Sequence, residues 1–156
     1  MESLIQTYEE KLIRSGLARK SGPFSPVVGG MDDVLAWNRP AREQDVLESL
    51  FAGLNINSLV CIFPAEPYAS LIRYLAGQAL KQNGLITPKD CETRTFLHDL
   101  PVIRRFASQD IIPVLRQRKS VIVHTETESG TLPMVIAHGT VSPEQGYVTV
   151  SSVCFA

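Results

Sequence analysis

An α/β sandwich, with helices on both faces of a mixed sheet, is the fold class that three observations in the sequence predict. Segments with helical spacing alternate with short apolar runs along the chain, the pattern of helices laid on a sheet. The run Ser58 to Phe63 (SLVCIF) is apolar without interruption and of strand length, as in a strand covered on both sides. Between Lys119 and His138 two apolar runs flank a polar stretch containing Gly130, which predicts an antiparallel hairpin and makes the sheet mixed.

In chain order, Leu4, Ile5, Tyr8, Leu12 and Ile13 recur at helical spacing, and Gly16 offers a stop. Residues 19–33 hold Gly22, Pro23, Pro26, Gly29 and Gly30 and read as a loop. Gly29-Gly30 lacks both the GxxxxGK and the GxGxxG context, so a flexible turn is preferred over a phosphate cradle. Val34 to Trp37 reads as a short strand. After Pro40 comes a helix with Val46, Leu47, Leu50, Phe51 and Leu54 on one face, ending near Gly53 and Asn55. Pro64-Ala65-Glu66-Pro67 breaks the SLVCIF strand, and Pro67 opens a helix carrying Tyr68, Leu71, Ile72, Leu75, Ala79 and Leu80, with Gly84 as its stop.

Thr87-Pro88 is loop, and Glu92 to Leu97 alternates as a half-buried strand closed by His98-Asp99-Leu100-Pro101. Ser108 to Arg118 reads as a helix capped by Ser108, with Pro113 early enough to cost little if the helix starts at Gln109. Lys119 to His124 and Pro133 to His138 are the hairpin strands, Glu126 to Thr131 their turn, and Gly139 releases the chain. Ser142-Pro143-Glu144-Gln145 has the composition of a capped helix start, with Gln145 placed to close a capping box. The apolar stretch Tyr147 to Ala156 stops without a cap, which fits a truncated chain or an end docked in an interface. A purely structural partner of another chain would carry a large apolar patch there.

The 156 residues are expected to form a single domain, 1–156. A hydrophobic content of 44%, a charged content of 20% and a net charge of −1 give no footprint for nucleic acid or acidic lipid. Cys61, Cys91 and Cys154 form no CxxC pair and leave one over, which points to a reducing compartment, the cytoplasm by default. The amphipathic N-terminus is not a signal peptide, and no apolar run approaches bilayer-spanning length.

The order of elements over roughly residues 45–156 resembles the class II aldolase/adducin family. The matching pieces are Asn57 to Ala76, Leu100-Pro101-Val102, the helix ending Arg116-Gln117-Arg118-Lys119-Ser120, and Val121 to Gln145. The resemblance implies a class II aldolase-like three-layer sandwich and a homo-oligomer, commonly a tetramer with active sites between subunits. It also implies a divalent metal such as zinc, held by a His-x-His at the end of the buried strand and a further His in the later hairpin. The metal would polarise a substrate carbonyl and stabilise the enediolate of carbon–carbon cleavage. In one register the His-x-His positions hold Cys61 and Phe63, in the other Phe63 and Ala65; neither contains a histidine. The third ligand would fall at His124 to Glu126. The family's serine pair before a Glu and its Gly-Asn loop find no counterpart. The expectation is therefore a degenerate member without a resident metal, acting as a small-molecule binding or oligomeric assembly module. The alternative is a metal-dependent lyase or epimerase on a small sugar-like carbonyl compound, with a site rebuilt from His98, His124 and His138, helped by Cys61 and Glu126.

Among individual residues, His124 and Glu126 are the catalytic candidates, as a general base or ligand beside a carboxylate; a strand-end imidazole is the plainer reading. His138 ends the partner strand and is expected to face His124 across the hairpin. Glu66, Tyr68 and His98 are the substrate-binding candidates. The plainer roles are a helix-start charge for Glu66, helix packing for Tyr68 and turn formation for His98-Asp99. Cys61 inside SLVCIF is most simply a small buried hydrophobe. No GxSxG, HExxH or paired CxxC is present, so hydrolase chemistry has no support.

Overall fold

A computed structural model describes residues 1–20, 22–88, 98–125, 133–140 and 142–154. The helices are α1 (Glu2–Arg14), α2 (Gln44–Gly53), α3 (Tyr68–Leu80), α4 (Ser108–Leu115) and α5 (Pro143–Cys154). The strands are β1 (Val27–Met31), β2 (Leu35–Trp37), β3 (Ser58–Ile62), β4 (Leu85–Ile86), β5 (Leu100–Ile103), β6 (Ser120–Val123) and β7 (Met134–Gly139). They form one sheet in the order β2-β1-β3-β7-β6-β5-β4. Every neighbouring pair is antiparallel except β5 and β6, so the sheet is mixed as expected.

Strand alternation sorts the side chains into two cores. Val60, Ile62, Ile122, Val135 and Ala137 meet α1, α3 and α5 through Ile5, Leu12, Ile72, Ala76, Val150 and Val153. Leu59, Cys61, Val121, Val123 and Ile136 meet α2 and α4 through Leu47, Leu50, Ile111 and Leu115. Helices flank the sheet on both sides, which is the three-layer sandwich. All five residues of β3 are buried, because β3 has helices above and below and strands on either side. The apolar stretch after Tyr147 belongs to this core: Val150, Val153 and Cys154 are buried against the chain's own sheet, so a large apolar patch is not exposed there among the described residues.

The loop expected over 19–33 is corrected. It contains β1, which pairs with β2 and β3. Turn propensity was overridden by packing, since a Cβ on Gly29 would lie 2.5 Å from the Trp37 ring and one on Gly30 would lie 2.6 Å from Met1 sulfur. The glycines are there to let neighbours close over the strand. Gly16 and Gly84, by contrast, are stops of the expected kind, with φ of +78° and +74°.

Leu100 and Pro101, expected to close a strand, instead begin β5. Pro101 sits near the strand start, where its missing N–H removes little of the ladder. The strand expected over Glu92 to Leu97 lies outside the described residues. Helix α4 starts at Ser108 with Ala107 in the extended cap position, so Ser108 is not the cap. Pro113 is then the sixth helical residue, and the carbonyl of Gln109 loses its i+4 donor. The capping box at α5 is present: Ser142 Oγ accepts from the Glu144 N–H (3.3 Å), and Gln145 Oε1 accepts from the Ser142 N–H (3.4 Å).

Replacing Gly29 by alanine should lower the unfolding free energy by about 1–3 kcal/mol, since the Trp37 ring has to move off the strand. Urea denaturation followed by circular dichroism measures this; an unchanged midpoint would show that the ring has room to spare.

Candidate functional site

Because β3, β5 and β6 run in the same direction, their C-terminal ends lie together at one end of the sheet. Phe63 to Tyr68 leave β3 there and lead into α3; Arg104 follows β5, and His124 follows β6. The segment after α1 joins them, with Ala18 bridging Pro64 and the Ala65 N–H donating to Leu17 O (2.8 Å).

His124 is buried, at 5% exposure, and its backbone N–H donates to Ile103 O (2.9 Å), extending the β5–β6 pairing by a residue. Glu66 is exposed and accepts a hydrogen bond from Ser70 Oγ (2.6 Å) at the first turn of α3. Tyr68 is half-buried against the core on that face. Glu126 lies outside the described residues. His98 is exposed, in the left-handed region with φ +59°, just before β5, with the neighbouring Asp99 accepting from Thr87 Oγ1 (3.2 Å).

The structure does not bring the three histidines together. The hairpin register sets Ser120 opposite Ala137, and the His138 N–H bonds Lys119 O. His138 is therefore level with Lys119, five residues from His124 along the strand, roughly 16 Å at about 3.3 Å per residue. The expected pairing of the two imidazoles across the hairpin is corrected by that register. His98 precedes β5 at the same end as His138, with β6 between them. Among the described residues no three His, Cys, Asp or Glu side chains gather as metal ligands.

His138 has a structural task. Its Nε2–H points at two carbonyls, Leu115 O and Arg118 O (both 3.1 Å), and so closes the C-terminal end of α4.

Sequence reading passed over Glu43 and Arg39. Glu43 is a carboxylate only 7% exposed at the start of α2, and it acts on Cys61, which is 1% exposed. Burial pushes the Cys61 thiol far above its usual range, Glu43 pushes it further, and Arg39 opposes them. Arg39 is clamped by carbonyls, donating to Ser25 O (2.6 Å), Pro40 O (3.0 Å) and Pro23 O (3.4 Å). A charged residue shortly after a proline at a helix start looks like a surface cap in sequence. Its burial comes from the tertiary packing of α2 and could not be read locally.

The two His-x-His registers that the resemblance implies hold no histidine, while the third implied position falls at His124 to Glu126, of which Glu126 lies outside the described residues. Zinc binds thiolates and neutral imidazoles, about three from the protein in a catalytic site. Cys61 is held as a neutral thiol within the core, as expected of a small buried hydrophobe. Phe63 carries no donor and packs edge-on against Phe24, with centroids 5.2 Å apart. Ala65 has only its backbone to offer.

Strand order, layers and the position of the strand ends together define a class II aldolase-like fold. The solved structure of L-fuculose-1-phosphate aldolase from Thermus thermophilus is similar to this chain with a TM-score of 0.69 and 12% sequence identity, over 99% of this chain and 89% of that one. No protein-family model and no curated protein matches the sequence.

With the thiols protonated in the folded chain and free to ionise once unfolded, stability is full below the ordinary thiol range and falls as pH rises through it. Burial raises Cys154 to about 12 and Cys61 further, so between pH 9 and 11 each thiol should take off about 1.4 kcal/mol per pH unit. Urea midpoints at pH 8 to 11 test this, and the Cys61→Ala variant should show a visibly shallower decline. An identical decline in parent and variant would mean that Cys61 ionises in the folded state.

Proposed function

We propose that this chain is a catalytically degenerate class II aldolase-like protein, acting as a small-molecule binding or oligomeric assembly module without a resident metal. The observation that carries this reading is the chemistry at the end of β3: a neutral buried thiol, a phenylalanine ring and an alanine at the positions where the family resemblance calls for imidazoles. The carbon–carbon cleavage that the resemblance implies uses a cation to polarise a carbonyl, and these side chains give such an ion no grip. Function then rests on the scaffold's surfaces and pockets. A homo-oligomer, a tetramer by resemblance, is part of the proposal, as is a cytoplasmic location. Leu71 and Tyr74, on one side of α3 and 48% and 64% exposed, are the apolar surface that self-association would cover. No helix of the described residues is long and apolar enough to cross a membrane.

Metal analysis of protein purified without a histidine tag separates this reading from the alternative of a metal-dependent lyase or epimerase. After incubation with zinc or manganese and removal of free ion, the expected content is below about a tenth of an equivalent per chain, since a catalytic site needs about three protein ligands. A stoichiometric ion that is lost on mutating His124 would overturn the degenerate reading and restore the enzyme.

A further inference from the structure

We propose that the seam between α3 and α5, above β6, is a binding site for a small uncharged apolar molecule of the size of a single aromatic ring. A pocket of about 230 Å³ lies there. Leu71 and Leu75 of α3, Ile86 of β4, Leu100 of β5 and Val153 of α5 stand around it, with Ile122 of β6 beneath. None of its described walls comes from β3 or from the segment Phe63 to Tyr68. The proposal therefore stands or falls separately from the metal content of the protein.

The helix layer explains why the pocket exists. On this face α5 lies over β7, β3 and β1 and leans on α1, whereas α3 lies over β5 and β4. β6 runs between β7 and β5, so the two helices part above it. Protein interiors otherwise interdigitate with few voids larger than a water molecule, and an opening of this size beside the core is a departure from that density. Leu71, 48% exposed, stands at the mouth with the half-buried Leu75 and Ile86, while Leu100 and Val153 are buried and close the interior.

The chemistry of the walls sets the class of occupant. No Lys, Arg, His, Asp or Glu lines the pocket among the described residues. Thr87, at the rim, donates its hydroxyl to Asp99 Oδ1 (3.2 Å), and the Cys154 thiol is kept neutral by burial. A charged molecule would give up its hydration here with nothing in return. Water fares little better, because a confined water needs about two to four polar partners. An uncharged apolar molecule gains by leaving the solvent and by contact with the aliphatic walls. A cavity of about 150 Å³ lined by Leu, Ile and Phe stays dry and binds benzene, so about 230 Å³ has room for one ring with a short substituent.

Ligand-observed NMR titrations of the full chain test this with benzene, toluene and ethylbenzene, and with benzoate and benzylammonium as charged controls carrying the same ring. At least one hydrocarbon should bind with a Kd of about 1 mM or tighter, and both controls should be weaker by about tenfold or more. Ile86→Phe, which fills the mouth, and Leu71→Glu, which sets a charge at its exposed rim, should each weaken the hydrocarbon about tenfold. Leu71→Glu should leave the thermal midpoint in place and so reports even if Ile86→Phe does not fold. Tyr74→Ala, on the same helix but outside the pocket, should bind like the parent, which separates the pocket from self-association through α3. The proposal is overturned if no hydrocarbon binds, if a charged control binds equally well, if a folded pocket variant binds like the parent, or if Tyr74→Ala abolishes binding.

Discussion

The constraint on which the rest depends is burial of the central strands on both faces. Apart from Ser58 and Ser120 at their starts, each side chain of β3, β6 and the interior of β7 is committed to one hydrophobic core or the other, at near-zero exposure. At about 25 cal/mol per Å² of apolar surface removed from water, such strands dominate the stabilisation of the sheet. They also leave no face on which polar chemistry could be mounted. Functional groups are confined to the residues where strands end, and the mixed topology gathers these into two clusters. One holds the ends of β3, β5 and β6 with Glu66, Tyr68 and His124; the other holds the start of β6, the end of β7 and the first turn of α5.

The parts of this arrangement legible in the sequence are those set by local chemistry or by uninterrupted patterns. SLVCIF announced a strand covered on both sides because all its residues but the first are apolar, and β3 is fully buried. Ser142, Pro143 and Gln145 announced a capped helix because a capping box needs only residues three apart in sequence. β1 was hidden for the opposite reason: Gly29 and Gly30 carry turn propensity, and only the distant Trp37 and Met1 explain why small residues are needed there. β4 is two residues long and has no period to detect.

The candidate site was legible in its element ends and illegible in its register. His124 and His138 both terminate hairpin strands, which invites pairing them, but antiparallel partners place strand ends at opposite extremes of the ladder. An imidazole that closes the end of α4 by donating to two carbonyls looks identical in sequence to a ligand. Glu43 was invisible because burial of a charge is a tertiary property. Only with α2 laid over β3 does its carboxylate bear on the Cys61 thiol, with Arg39 anchored nearby by backbone oxygens.

The same physics explains how a fold can be shared with a structural neighbour at 12% identity. The two cores lie beneath the strand ends and are closed by helices. At the end of β3 the side chains are themselves part of the core. Phe63 meets Phe24, and Cys61 joins Leu59 and Ile136 as one more apolar side chain. Arg39, clamped by the carbonyls of Pro23, Ser25 and Pro40, and the buried Glu43 act on the Cys61 thiol in opposite senses. The contacts around β3 are thus closed among the chain's own side chains.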